Sequence, residues 1–240
     1  MIEPASYSAL DSQRFGIRVF RARVEEASAA ADLMQFVRSA DLDLLIVRCP
    51  VQAMAAAQAL ERAGCFLTDT LVYYRGATRN FEPPPANSTG VRLGQATDRT
   101  SVEVVARASF SGFFGHYHAD PRLDPDAATE GYVEWACSAL ADPASVVLIS
   151  ETDGRVSGFL TAKKLDGKTW EILLNGVAPE FQRRGIYTAL FREIGCRARA
   201  QGASEVLVST QLANLAPQKV WTRAGLALDH ALYTFHWWKP

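Results

Sequence analysis

The chain has 240 residues, 48% of them hydrophobic, and a formal net charge of -1, so it reads as a soluble globular protein able to bury a sizeable core in one large domain or two small ones. Charges are nearly balanced with no block of one sign, which excludes a broad nucleic-acid or membrane-surface footprint; any bound anion must be met by a local site. Cys49, Cys65, Cys137 and Cys196 stand far apart with no C-x-x-C pair, as expected of reduced thiols in a cytoplasmic protein, and neither a leader pattern nor an apolar window near ~20 residues predicts secretion or membrane spanning.

In chain order, "GIRVFRARV" from Gly16 alternates like a strand, and "AAADLMQFVRSA" has helical spacing. "LDLLIVRC" reads as a buried strand, "QAMAAAQALERAG" as a helix closed by Gly64, and "CFLTDTLVYYR" as a returning strand. This β-α-β-α-β unit, residues 1–76, is small for an independent core and is expected to pack against the rest. "GATRNFEPPPANSTG", with three consecutive prolines, predicts a linker over 77–90.

Residues 91–240 then offer a strand at "VRLGQA", a helix over 97–109, a polar and aromatic loop, and a helix over 125–140. Three segments, "SVVLISETD", "RVSGFLTAKKLD" and "TWEILLNGVA", read as an antiparallel meander turned at "TDGR" and "DGK". A helix over 183–201, a strand "EVLVSTQ", a helix over 214–223 and a short strand pair ending in "YTFHWW" complete a mixed α/β order.

The segment "VAPEFQRRGIYTAL" turns an apolar strand into a helix through two arginines and a glycine. A helix start exposes unpaired N–H groups and partial positive charge, where arginine is misplaced unless an anion is expected. Gly185 lets a backbone approach closely, and Gln182, Arg183 and Arg184 add donors around the same point, an arrangement suited to a diphosphate.

The wider stretch "LLNGVAPEFQRRGIYTALF" resembles the acyl-CoA-binding motif of the GNAT superfamily of N-acetyltransferases, in which Gln/Arg-x-x-Gly-x-Gly/Ala opens a helix. Here it runs from Gln182 through Gly185 and Ile186 to Tyr187, the last replacing the usual small residue. "STQLANLAPQKVWTRAGL" resembles the fifth strand and following helix, which puts the cofactor-contacting asparagine at Asn214, a residue equally suited to cap that helix. Together with "FSGFFGHYHADPRLD", "GYVEWACSAL" and the C-terminal run, nearly the whole chain looks like the two-domain dTDP-fucosamine acetyltransferase family. That resemblance implies a GNAT fold with a smaller N-terminal domain, acetyl-CoA as co-substrate and an amine on a nucleotide-linked sugar as acceptor.

It also implies that backbone groups of Leu174, Asn175, Gly176 and Val177 hold the pantetheine arm and the thioester carbonyl. The tyrosine that protonates the departing thiolate in that family is replaced by Trp221, whose indole N–H can donate a hydrogen bond but is no acid near neutral pH. Tyr233, His230 and Tyr187 are the candidate substitutes, with Tyr233 expected to matter most. His116, Tyr117, His118 and Arg122 concentrate in one loop and are expected to bind the acceptor, His118 or Glu171 taking the ammonium proton. The H-x-H pair has no third ligand at recognisable spacing, so no metal is expected.

Two other readings stand beside this one: a GNAT enzyme for another small amine or acyl chain, and a CoA-binding module without turnover. The N-terminal unit is expected to shape the acceptor cleft or a homodimer contact.

Overall fold

The computed structural model describes residues 5–83 and 90–240. Among these, ten strands numbered along the chain form one mixed sheet. Its order is β1 (Ser6–Tyr7), β2 (Val19–Arg23), β3 (Leu44–Pro50), β10 (Ala227–Trp238), β4 (Phe66–Ala77), β9 (Glu205–Gln211), β8 (Thr169–Val177), β7 (Arg155–Lys164), β6 (Ser145–Thr152) and β5 (Gly90–Leu93). Only the β2–β3 and β8–β9 pairs are parallel.

Helices cover both faces. α1 (Ala9–Phe15), α4 (Arg99–Phe110) and α5 (Pro125–Ser138) lie on one side; α2 (Ala27–Ser39), α3 (Met54–Arg62), α6 (Ile186–Ala200) and α7 (Leu215–Arg223) lie on the other. Residue spacing explains the packing. In α2 the buried set Ala30, Leu33, Met34 and Val37 repeats at i, i+3, i+4 and i+7 and meets the odd-numbered Phe235 and Trp237 of β10 in one cluster. The α6 side of the other half is filled by Ile186, Leu190, Phe191, Ile194 and Ala198.

The predicted mixed α/β class holds, and most elements fall within a few residues of expectation. Three differences have clear causes. The expected C-terminal strand pair is one twelve-residue strand, because irregular register at Leu228/His230 and Thr234/Phe235 lets β10 follow β4 without a turn. The sheet also runs on across the expected division at 77–90, since β10 is inserted between β3 and β4. Ahead of residues 84–89, which lie outside the described ones, Gly76 and Ala77 end β4, and Phe81 is buried against Phe191 at 5.3 Å.

The third difference is the start of α6, at Ile186 rather than Arg183. Pro179–Phe181 forms a 3₁₀ turn first, and then Arg183 (φ 63°) and Gly185 (φ 79°) adopt left-handed conformations that cannot belong to the helix.

Candidate active site

The parallel pairing of β8 with β9 runs from Thr169↔Glu205 to Ile172↔Val208 and stops there, although β8 continues to Val177 and β9 to Gln211. From Leu173 onward the two strands part. A bulge falls at this place, where Thr161 and Ala162 of β7 pair with Leu174 and Ile172, and Thr161 Oγ1 accepts from the Leu174 N–H at 3.1 Å. The bulge changes which face each later side chain takes. Gly176 consequently backs onto Ser109 of α4 and Phe159, where a Cβ would have no room.

At the mouth of this gap α6 begins without a side-chain cap, leaving its first N–H groups available. Gln182, Arg183, Arg184 and Gly185 are all exposed. Gln182 Nε2 donates to the Val177 carbonyl at 3.2 Å, tying the loop to the end of β8, while the Arg184 guanidinium lies 5.4 Å from the Phe181 ring centroid. Left-handed backbone at Arg183 costs about 1–2 kcal/mol, and left-handed residues next to a helix start are a feature of anion-binding backbone turns. Nothing lies within 4 Å of the position a Cβ on Gly185 would take. Open space and uncapped donors fit a diphosphate. Ile186 contributes backbone only, its side chain being 1% exposed in the core.

Tyr187 and Trp221 meet beside the cradle. The indole N–H donates to the phenol oxygen at 2.6 Å, with Trp221 itself 1% exposed and tilted against Tyr74 at 5.4 Å. Trp221 is therefore committed to Tyr187 and is not a free donor toward a thiol. Burial pushes the Tyr187 phenol up, and the indole N–H pulls it partly back. Asn214 does not cap α7 with its side chain; its Nδ2 donates to Thr210 Oγ1 at 3.0 Å.

On the α4 and α5 side, Glu171 stands opposite Lys163 and Leu207. Burial pushes its carboxyl up. A cleft of 720 Å³ lies between the end of α4 and the start of α5, lined by Arg107, Phe113, Phe114, His118 and Thr129 among others. His118 is half-buried there: the Gly115 N–H donates to its Nδ1 at 3.4 Å, its Nε2 is 3.3 Å from Thr129 Oγ1, and burial lowers its pKa.

The rest of that loop turns inward, against expectation. His116 is 4% exposed, with Nδ1 2.9 Å from His236 Nε2. His236 Nδ1 lies 2.6 Å from Asp120 Oδ2, which also accepts from the Trp238 indole at 2.9 Å. The Tyr117 hydroxyl donates to Asp11 and accepts from Arg21, and Arg122 lies over the Trp238 ring at 5.4 Å. His116 and Arg122 thus fasten the loop to β10, and Tyr117 fastens it to α1 and β2, each buried polar group finding a partner. Tyr233 is also displaced from the site: alternation along β10 puts it with Phe235 against the α2 and α3 cluster, on the other face from Thr234. His230 stacks on Tyr73 at 4.2 Å, and its Nδ1 is 2.7 Å from Asp229 Oδ2.

Among the described residues, no three His, Cys, Asp or Glu side chains gather as a metal ion would require, and no helix is long and apolar enough to cross a membrane.

Residues 108–226, from the end of α4 to just beyond α7, match the Acetyltransferase (GNAT) family. The chain carries a GNAT acetyltransferase domain. It is accordingly an acyl-CoA-dependent N-acetyltransferase, and the matched stretch includes the loop before α6 and the ends of β8 and β9. A curated relative, the spore coat polysaccharide biosynthesis protein SpsD of Bacillus subtilis (strain 168), is 26% identical over 204 residues, 82% of this chain and 68% of that protein. A functionally unknown conserved protein from Staphylococcus epidermidis ATCC 12228 shares the fold with a TM-score of 0.68 at 15% identity, over 100% of this chain and 93% of that one. A GCN5-related N-acetyltransferase from Kribbella flavida does so at 0.61 and 11% identity, over 91% and 80%.

Sequence reasoning did not single out Arg48, Asp69, Tyr73, Tyr132 or Gln211; Arg48 pairs with Asp69, and Tyr132 and Gln211 both close on Gly115. One signal was available: in "LTDTLVYY" a lone carboxylate interrupts a run with no other charge, and alternation puts Asp69, Leu71 and Tyr73 on one face.

Proposed function

We infer that this GNAT enzyme transfers an acetyl group from acetyl-CoA to the amine of a nucleotide-linked amino sugar, by direct attack while both substrates are bound. The observation that carries the reading is the uncapped start of α6 beside the parting of β8 from β9, which joins an anion cradle to an opening through the sheet. A carbohydrate acceptor is supported by the relative named for spore coat polysaccharide biosynthesis. The reaction is proposed to run in the cytoplasm.

In this reading the backbone of Leu174, Asn175, Gly176 and Val177 lines the gap, holding the pantetheine arm and donating an N–H to the developing oxyanion. Gln182, Arg183, Arg184, Gly185 and the first N–H groups of Ile186 and Tyr187 take the diphosphate. Asn214, released from Thr210, is a further contact. From the opposite face Glu171 removes the ammonium proton; its raised carboxyl narrows the difference in proton affinity between base and amine. The free amine attacks the carbonyl carbon, forming C–N as C–S breaks with its electron pair leaving on sulfur.

The sulfur receives a proton from Tyr187, and the second proton that the nitrogen sheds on becoming an amide restores the phenol through solvent. The phenol oxygen already accepts from Trp221, an indole cannot accept in return, and the phenol proton is thereby left for a partner in the gap. Tyr187, rather than Tyr233, takes the role of acid.

The test is thiol release from acetyl-CoA with a panel of dTDP- and UDP-linked amino sugars, free amino acids and aminoglycosides. Fastest release with a nucleotide amino sugar is expected. Release with free amino acids or aminoglycosides alone would refute the acceptor class.

A further inference from the structure

Arg48 of β3, Thr234 of β10 and Asp69 of β4 stand directly opposite one another on three adjacent strands, and so on one face of the sheet. Arg48 donates to Thr234 Oγ1, and its guanidinium lies 3.5 Å from Asp69 Oδ1. The Asp69 side chain is only 7% exposed, yet neither carboxylate oxygen has a hydrogen-bond partner among the described residues. Buried carboxylates are ordinarily saturated with donors, because leaving one bare destabilises the fold. The polypeptide carries that burden here beside its own acyl-transfer gap.

Other groups converge on the row. Four residues along β4 from Asp69, Tyr73 stacks on His230 with ring planes 10° apart, and Tyr73 also stands opposite Ser209 of β9. The Tyr132 hydroxyl of α5 and the Gln211 amide of β9 both close on Gly115, where a Cβ would lie 2.9 Å and 3.5 Å from them. Tyr132 also lies parallel to His118, linking the row to the α4–α5 cleft. Arg23 of β2 stands opposite Arg48 on its outer side.

We propose that Asp69 and Arg48 form the floor of the acceptor subsite, and that their opposite charges select a zwitterion: a polyhydroxylated amine joined to a diphosphate. The proposal rests on the acceptor class inferred above. Asp69 accepts hydrogen bonds from hydroxyl or ammonium donors, which supply what the protein leaves out. Arg48, with Arg23 beyond it, faces the anionic diphosphate through its planar fork. The Tyr73–His230 stack offers an apolar platform for the sugar or base. A polycationic acceptor would instead meet repulsion from the arginines.

The test is Asp69→Asn in the full chain, assayed with a dTDP-linked amino sugar or, if that is not turned over, with whichever panel amine releases thiol fastest. A failure of the acceptor class is thus read in the parent enzyme, and a failure of the subsite in the variant. The KM for the acceptor is expected to rise at least tenfold with acetyl-CoA affinity unchanged by calorimetry, and the variant without substrates to unfold at a higher temperature than the parent. An acceptor KM within twofold of the parent's overturns the proposal, as does a lower unfolding temperature, which would mark Asp69 as a structural ion-pair partner. Arg48→Lys keeps the charge but loses the fork; it is expected to raise the same KM at an unchanged unfolding temperature, and an unchanged KM here counts equally against the subsite.

Discussion

The Trp221 indole donates to the Tyr187 hydroxyl at 2.6 Å, joining the first turn of α6 to the last turn of α7 on the cradle side of the sheet. Tyr187→Phe is expected to lower kcat by about tenfold or more, roughly 1.4 kcal/mol of transition-state stabilisation, with acetyl-CoA affinity nearly unchanged. Trp221→Phe should give a smaller loss because it releases the phenol without removing it. Tyr233→Phe should leave turnover near the parent's, since Tyr233 packs toward α2 and α3. Steady-state thiol release from the three variants checks this; a large loss in Tyr233→Phe alone would reverse the assignment.

Gly185 holds φ at 79° at the mouth of the gap. Gly185→Val brings a β-branched side chain into a left-handed position and covers the exposed N–H groups. Acetyl-CoA affinity is expected to fall by more than tenfold in a calorimetric titration, while circular dichroism keeps the parent's spectrum.

Burial raises the Glu171 carboxyl above its usual range, which determines the sign of its pH dependence. A base acts as carboxylate, so kcat/KM should climb as pH rises through the raised pKa. Glu171→Gln should lose that limb and most of kcat. The unfolding temperature near neutral pH should rise, because ionising a carboxyl whose folded pKa is raised opposes folding above its unfolded pKa. Rate profiles and melting curves across pH read the two effects separately.

His116 is held well below its ordinary 6.5, by burial first and then by Arg48, His236, Arg21 and His118. Below that value an unfolded chain binds a proton that the folded chain refuses, so stability should decline as pH falls through about 6.5. Asp120 feels burial as an upward pull that hydrogen bonds from His236, Trp238 and the Arg122 N–H outweigh, leaving it below 3.8. It adds a second loss as pH drops beneath that value. Asp120→Asn should cost about 2 kcal/mol by leaving His236 and Trp238 poorly matched, a drop of roughly 4–8 °C in Tm for a chain of this length. Melting temperatures measured against pH test both statements; a flat profile through the histidine range would contradict the first.

The cradle was legible because its signals are local: a proline, two arginines and a glycine within seven residues, at a strand-to-helix change. Alternation and helical spacing likewise predicted most elements. The proposed acceptor subsite was not legible, for its residues are brought together from strands far apart in the chain. Arg48, Asp69 and Thr234 become neighbours only because β10 enters between β3 and β4. His116 and Tyr117 misled for the same reason: their partners His236, Asp11 and Arg21 lie far away in sequence, so a loop rich in polar groups looked open when it is a fastening. Tyr233 shows the period-2 rule working against intuition, since it packs toward α2 and α3 while its neighbour Thr234 stands opposite Asp69 on the other face.

The insertion of β10 also bears on how the protein is made. Until residues 227–238 emerge, β3 and β4 each present a bare edge, and neither can pair with the other without excluding the strand that belongs between them. The N-terminal 80 residues must therefore wait, incompletely paired, through synthesis of the entire transferase domain. Such edges invite association with other chains, so nascent chains arrested just before residue 227 should be aggregation-prone and should depend on chaperones more than the finished protein does.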